Sequence, residues 1–317
     1  MVHMARLPLQ GGLAPADAAA GPVVEIACDE SGFSGRNLLD PATPVITHAS
    51  VDLGIEEAVA LIAALRSGFR FSPSELKSGQ FLRSPTAGDA VGWFLTALRG
   101  RALVHLVDKE YFLATRIVDL FLGEPSYASG TSLARGDDGA ARGLYRAGRS
   151  AGREWTAFLA AFVDLARIKR RRSPDPRAQE RFFQTHDRLG LLPGLDRDRV
   201  RAVLIRLCED DRSIPPPLEP MLPALAETVL FWSGGQRPVL VIHDEQSALT
   251  AGRLTRLQQV LVSPAGVALL AGLVTVDSRD DPRVQVADLL AGVARRHSGR
   301  FPPLQPFLSP TSLHDPG

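Results

Sequence analysis

The chain has 317 residues, 45% of them hydrophobic, which is enough to bury a substantial core as one large domain with an insertion or as two small ones. Its two cysteines, Cys28 and Cys208, argue against a disulfide framework or a multi-cysteine zinc site. The net charge of +1 conceals a bias: arginine supplies nearly all the cations, and lysine occurs only at Lys77, Lys109 and Lys169.

No apolar run approaches the roughly 20 residues of a membrane span, and the N-terminus lacks the basic-then-apolar order of a secretory signal, so no membrane contact and a cytoplasmic location are expected. Positions 1–21, rich in Ala, Gly and Pro, are expected to be a disordered leader. The run 23–28 suits a buried strand that stops on Asp29-Glu30-Ser31-Gly32, and 44–53 reads as its hairpin partner. Helical spacing follows at 56–65, an extended piece interrupted by Pro73 at 69–76, and a helix at 89–98. A strand at 102–107 ends on Asp108. From 111 to 236 the character is helical, with Gly- and Pro-rich breaks and its clearest amphipathic helix at 154–167. Strand character returns at 238–243, ending on Asp244-Glu245. A helix at 251–262, a strand within 266–276 that stops at Asp277, a nearly all-apolar helix at 284–296 and a Pro-rich tail complete the pattern. The expectation is one α/β core, 22–110 and 237–298, interrupted by a helical insertion at 111–236 and followed by the tail at 299–317.

The acids carry the chemistry. An ionised carboxylate at the end of a buried strand or within an apolar helix costs several kcal/mol unless it is paired or bound to a metal. Asp29, Asp244 and Asp288 are the foremost candidates. Strand alternation sets Asp29 with Glu25 and Ala27, and Glu30 with Ile26 and Cys28, so Asp29 and Glu30 face opposite sides. If the Ile26 face alone is core, Asp29 points away from it; a central strand buried on both sides removes the conflict. Glu245 should likewise point away from Asp244. Gln285, one turn before Asp288, could orient it by hydrogen bonding. Glu75-Leu76-Lys77 projects a carboxylate and an ammonium from one face of an extended segment, where they could bind a metal and orient or deprotonate a water. Asp108 and Asp277 are lesser candidates, because strand-terminal Asp is also a frequent turn former. His48, His105 and His243 show no ligand spacing and read as packed or hydrogen-bonded. No phosphate-cradling glycine loop, nucleophile elbow or Cys-His pairing is present. Basic residues concentrate in the insertion at Arg167, Lys169, Arg170, Arg171 and Arg172, with Arg142, Arg146, Arg149 and Arg153 upstream. Such clusters can follow a phosphate backbone, and a solvated helix end is the plainer alternative.

The order Asp29-Glu30-Ser31-Gly32, Glu75-Leu76-Lys77, Asp244-Glu245, Asp277-Ser278 and Gln285 to Gly292 resembles the bacterial family catalogued as domain of unknown function 3800. That family is similar to the ribonuclease H-like superfamily, whose members place acids on the first strand, a later central strand and a C-terminal helix. The resemblance covers roughly 23–296 without 111–236. It implies a ribonuclease H-like mixed sheet, with Asp29, Glu75, Asp244 and Asp288 as ligands of Mg2+ or Mn2+. Two such ions roughly 4 Å apart would support in-line phosphodiester cleavage. The resemblance thus implies a metal-dependent nuclease or related hydrolase, with RNA, DNA or a nucleotide-like molecule as substrate. A non-catalytic nucleic-acid-binding or scaffold protein on the same core is the alternative, and homo-oligomerisation stays open.

Overall fold

A computed structural model describes residues 23–35, 37–69, 71, 76–133, 139–168, 173–298 and 300–314. The expected leader at 1–21, Glu75, and the basic residues Lys169, Arg170, Arg171 and Arg172 lie outside the described residues. In chain order, β1 (Val24–Ser31) and β2 (Val45–Val51) precede the helices α1 (Ile55–Phe69), α2 (Ser78–Phe81) and α3 (Ala87–Ala97), and β3 (Ala102–Asp108) follows. Next come α4 (Lys109–Phe121), α5 (Tyr127–Gly130), α6 (Gly139–Ser150), α7 (Arg153–Ala166), α8 (Pro176–Leu189), α9 (Arg197–Cys208) and α10 (Met221–Ser233). The series ends with β4 (Val239–Asp244), α11 (Ala251–Val260), β5 (Leu270–Val276), α12 (Pro282–His297) and a 3-10 turn at Pro302–Phe307. No helix among the described residues is long and apolar enough to cross a membrane.

The protein is α/β, with a five-stranded mixed sheet in the order β3-β2-β1-β4-β5 flanked by helices. β1 pairs antiparallel with β2 and parallel with β4, and β4 pairs parallel with β5. β1 runs three residues beyond its expected end, because Asp29, Glu30 and Ser31 pair with Ala49, His48 and Thr47. Both faces of the central strands are covered: every residue of β2 and Ile26 to Asp29 of β1 are buried.

The chain forms two compact units. The first takes residues up to Phe33, Val45–Leu106 and Ala224–Ser312; the second takes Ser34–Pro44, Val107–Pro223 and the chain from Leu313. The β1–β2 loop thus belongs with the helical unit, which the sequence pattern gives no reason to expect. Lys109, only 1% exposed, explains the grouping: its ammonium donates to the Asn37 carbonyl (2.9 Å) and Thr43 Oγ1 (3.0 Å). A buried ammonium needs such acceptors.

In the first unit α12 lies against β1 and β2 and is buried along nearly its whole length, as its all-round apolar sequence dictates. Each fully buried Val or Leu there contributes about 1.5–3 kcal/mol. Asp281 caps the helix by accepting from the Arg283 amide (2.9 Å). The Arg283 guanidinium bridges Asp281 Oδ2 (2.6 Å) and Glu25 Oε1 on β1 (2.5 Å), fixing where the helix starts over the sheet. Thr47 Oγ1 donates to the Ala291 carbonyl (2.8 Å) farther along.

Candidate active site

The parallel register of β1 and β4 pairs Cys28 with His243, and the next residue on each strand is an acid, Asp29 and Asp244. Adjacent strands run about 4.8 Å apart. Asp29 and Asp244 alternate with Ala27 and Ile242, which belong to the apolar cluster under α12. They therefore face the helix that carries Asp288. Glu30 emerges on the opposite face with Cys28 and His243, so burial on both sides of β1 answers the parity question.

Ser78, the first residue of α2, holds Asp288: its amide donates to Oδ2 (2.9 Å) and its hydroxyl to Oδ1 (3.0 Å). Gly292, one turn beyond Asp288, makes that approach feasible, because a Cβ there would collide with the Ser78 side chain. Gln285, expected to orient Asp288, is not among its hydrogen-bond donors: Ser78 supplies two converging ones, and the Gln285 Oε1 is itself buried without a partner.

Asp29 is 6% exposed, and its carboxyl is pushed up to about 9, first by burial and then by the negative charges of Glu30, Asp288 and Asp244. The hydrogen bond from the Glu30 amide (2.7 Å) offsets part of this. Burial and then Asp244 raise Glu30 to about 7, against a lowering hydrogen bond from the Gln246 side-chain amide to Oε1. Glu30 Oε2 is buried, has no hydrogen-bond partner and lies 4.0 Å from His243 Nε2. Asp288 is also raised by burial, while the two Ser78 bonds and the Lys77 charge act in the other direction. The four carboxylates thus feel one another's charge in a poorly solvated space with little cationic compensation.

That deficit and the all-oxygen donor set suit a hard divalent cation. Among the described residues, however, no three His, Cys, Asp or Glu side chains stand as a group that could hold an ion. Asp288 is turned toward Ser78, so an ion would have to draw the carboxylates together.

The remaining candidates are distributed unevenly. Lys77 donates to Ser278 Oγ (2.9 Å), and its charge reaches Asp288. Glu245 is exposed, and only its backbone amide joins the site, donating to Asp244 Oδ1 (3.0 Å). Asp277 is bound by Arg279 (2.7 Å), which holds its carboxyl down at about 2. Asp108 lies in the second unit and caps α4, accepting from the Tyr111 amide and the Tyr145 hydroxyl (both 2.9 Å). Both aspartates therefore have structural duties. In the same unit Arg142, Arg146 and Arg149 are exposed along α6. Arg142 and Arg149 donate to the hydroxyls of Tyr111 and Tyr145, whose rings stack 4.8 Å apart.

Ser78 and Gln246 escape sequence reasoning. A hydroxyl directly after Glu75-Leu76-Lys77 is the one local signal for Ser78. Fold and site together define an α/β protein with one buried and several half-buried carboxylates where two adjacent parallel strands end beneath a helix. The chain matches no family model, no curated protein and no solved structure.

Proposed function

We propose that the first unit is a divalent-metal-dependent phosphodiester hydrolase with a ribonuclease H-like core. The observation that carries this reading is the gathering of Asp29, Asp244 and Asp288 on one face of the sheet, in an environment that disfavours their combined negative charge. First strand, central strand and C-terminal helix are the places the family resemblance implies for its acids.

Asp29, Asp244 and Asp288 would hold Mg2+ or Mn2+. A bound divalent ion lowers the pKa of coordinated water and stabilises negative charge on phosphoryl and leaving oxygens. The chain's own groups prepare the site. Asp29 retains its proton at neutral pH and would have to give it up to hold a cation, so binding should strengthen as pH rises. Ser78 keeps Asp288 in one rotamer through two donors. Lys77, tied to Ser278, adds positive charge beside Asp288 and favours its ionised form. The exposed arginines of α6 supply the kind of surface that follows a phosphate backbone.

The test is cleavage of single- and double-stranded RNA and DNA by the purified chain in Mg2+ or Mn2+, beside Asp29→Asn and Asp288→Asn. Expected is cleavage by the wild type, abolished in both folded variants. A wild type that cuts none of these substrates with either metal overturns the nuclease reading.

A further inference from the structure

On the sheet face opposite Asp29 and Asp244, four buried side chains form a continuous polar line. His105 Nδ1 lies 3.3 Å from Thr228 Oγ1, Thr228 Oγ1 lies 3.0 Å from His48 Nδ1, and His48 Nε2 lies 3.3 Å from His243 Nε2. His243 Nδ1 closes the line, 2.9 Å from the Asp244 carbonyl oxygen. All three histidines and Thr228 are 0% exposed.

With one N–H on each ring, a single direction through this line gives every hydrogen an acceptor. A carbonyl oxygen only accepts, so His243 Nδ1 carries the hydrogen. Burial lowers the pKa of His48 and, to about 3, of His105, so these two rings are neutral and each holds one N–H. Only one hydrogen fits between the two Nε2 atoms, and with the single N–H of His243 spent on the carbonyl, His48 Nε2 donates to His243 Nε2, which also lies 4.0 Å from Glu30 Oε2. His48 Nδ1 is bare in turn and takes the hydrogen of the Thr228 hydroxyl. The Ala224 carbonyl, 2.9 Å from Thr228 Oγ1, competes for that hydrogen, but yielding it there would leave the buried His48 nitrogen without a donor. His105 Nδ1 completes the series by donating to Thr228 Oγ1. Its Nε2, buried without a partner, is then a bare nitrogen rather than a stranded N–H, the less costly of the two.

We propose that His48 and Thr228 are positioning residues. By donating in series toward His243 they lock its Nδ1–H tautomer onto the Asp244 carbonyl and thereby fix the end of β4 from which the Asp244 carboxylate projects. The importance of this for the ion rests on the reading of Asp244 as a ligand; the hydrogen-bond direction does not. Groups that orient a ligand at one remove change metal affinity by about 10–100-fold when they are lost.

The experiment uses full-length, 15N- and 13C-labelled protein, first free of metal. Long-range 1H–15N spectra should show Nε2–H for His48 and Nδ1–H for His243 and His105. Thr228→Val removes the hydroxyl with little change of shape; it should scramble the His48 tautomer and move the Asp244 carbonyl 13C resonance, and Thr228→Ser should restore both. Mn2+ affinity should fall about 10-fold in Thr228→Val and return in Thr228→Ser. An Nδ1–H tautomer at His48, or an unmoved Asp244 carbonyl in Thr228→Val, overturns the relay. A moved carbonyl with unchanged Mn2+ affinity overturns the positioning role. A wild type that binds no Mn2+ overturns the ion reading, and the carbonyl shift then still decides the relay.

Discussion

Asp29→Asn is expected to stabilise the metal-free protein while destroying its proposed activity. The carboxyl ordinarily ionises at 3.8 and in the folded chain at about 9. Between those values the unfolded chain binds fewer protons than the folded one, so stability falls as pH rises from about 4 to about 9. At pH 7 the interval above 3.8 spans about three pH decades at about 1.4 kcal/mol each, a penalty of up to about 4 kcal/mol. Asparagine escapes it, and its Oδ1 can still accept the Glu30 amide. Because Glu30 and Asp288 share the repulsion, this magnitude is a ceiling, equivalent to a Tm rise of about 16 °C at most for a unit of this size. The assay is thermal unfolding in chelator at pH 4.5 and pH 7. The gain should shrink to about 1 kcal/mol or less at the lower pH. An Asn variant no more stable than wild type at pH 7, or a gain equal at both values, refutes the electrostatic account.

Two further outcomes follow from named contacts. Gly292→Ala should push Ser78 from Asp288, weakening Mn2+ binding by about 10-fold or more while leaving the apolar seat of α12 in place; calorimetric titration with Mn2+ measures it. Replacing Arg142, Arg146 and Arg149 together by Ala should lower the log–log salt slope of RNA or DNA binding by about 2–3, read by fluorescence anisotropy across a salt series. An unchanged slope would remove α6 from the proposed nucleic-acid surface.

Much of this arrangement is legible in the sequence, because apolar runs that stop on acids are locally encoded. The run before Asp29 becomes β1, that before Asp244 becomes β4, and the nearly all-apolar segment around Asp288 becomes α12. What escapes is long-range. The Ser78–Asp288 bonds join residues 210 apart in sequence, and the His48–His243 contact joins residues 195 apart. Neither has a periodicity to betray it. The three histidines share a face only because β2, β1 and β4 are neighbours and β3 lies beside β2, an order that residue spacing does not carry. Gln285 shows the converse failure: helical spacing correctly puts it one turn from Asp288, yet it makes no bond there because Ser78 supplies both donors.

β3 is an outer strand of the sheet, and the Pro-rich segment after α12 runs along it. Leu308 bridges to Val104 and Leu313 to Val107, the Ser309 amide donates to the Val104 carbonyl (2.8 Å), and Ser312 Oγ accepts from the Leu106 amide (3.0 Å). An outer strand left open is a template for strand addition by another chain. Here the cover lies 206 residues downstream of the strand it protects, so during synthesis β3 waits for almost all of the intervening chain. Until that downstream segment has been made, the edge of β3 lies open to strand addition by another chain.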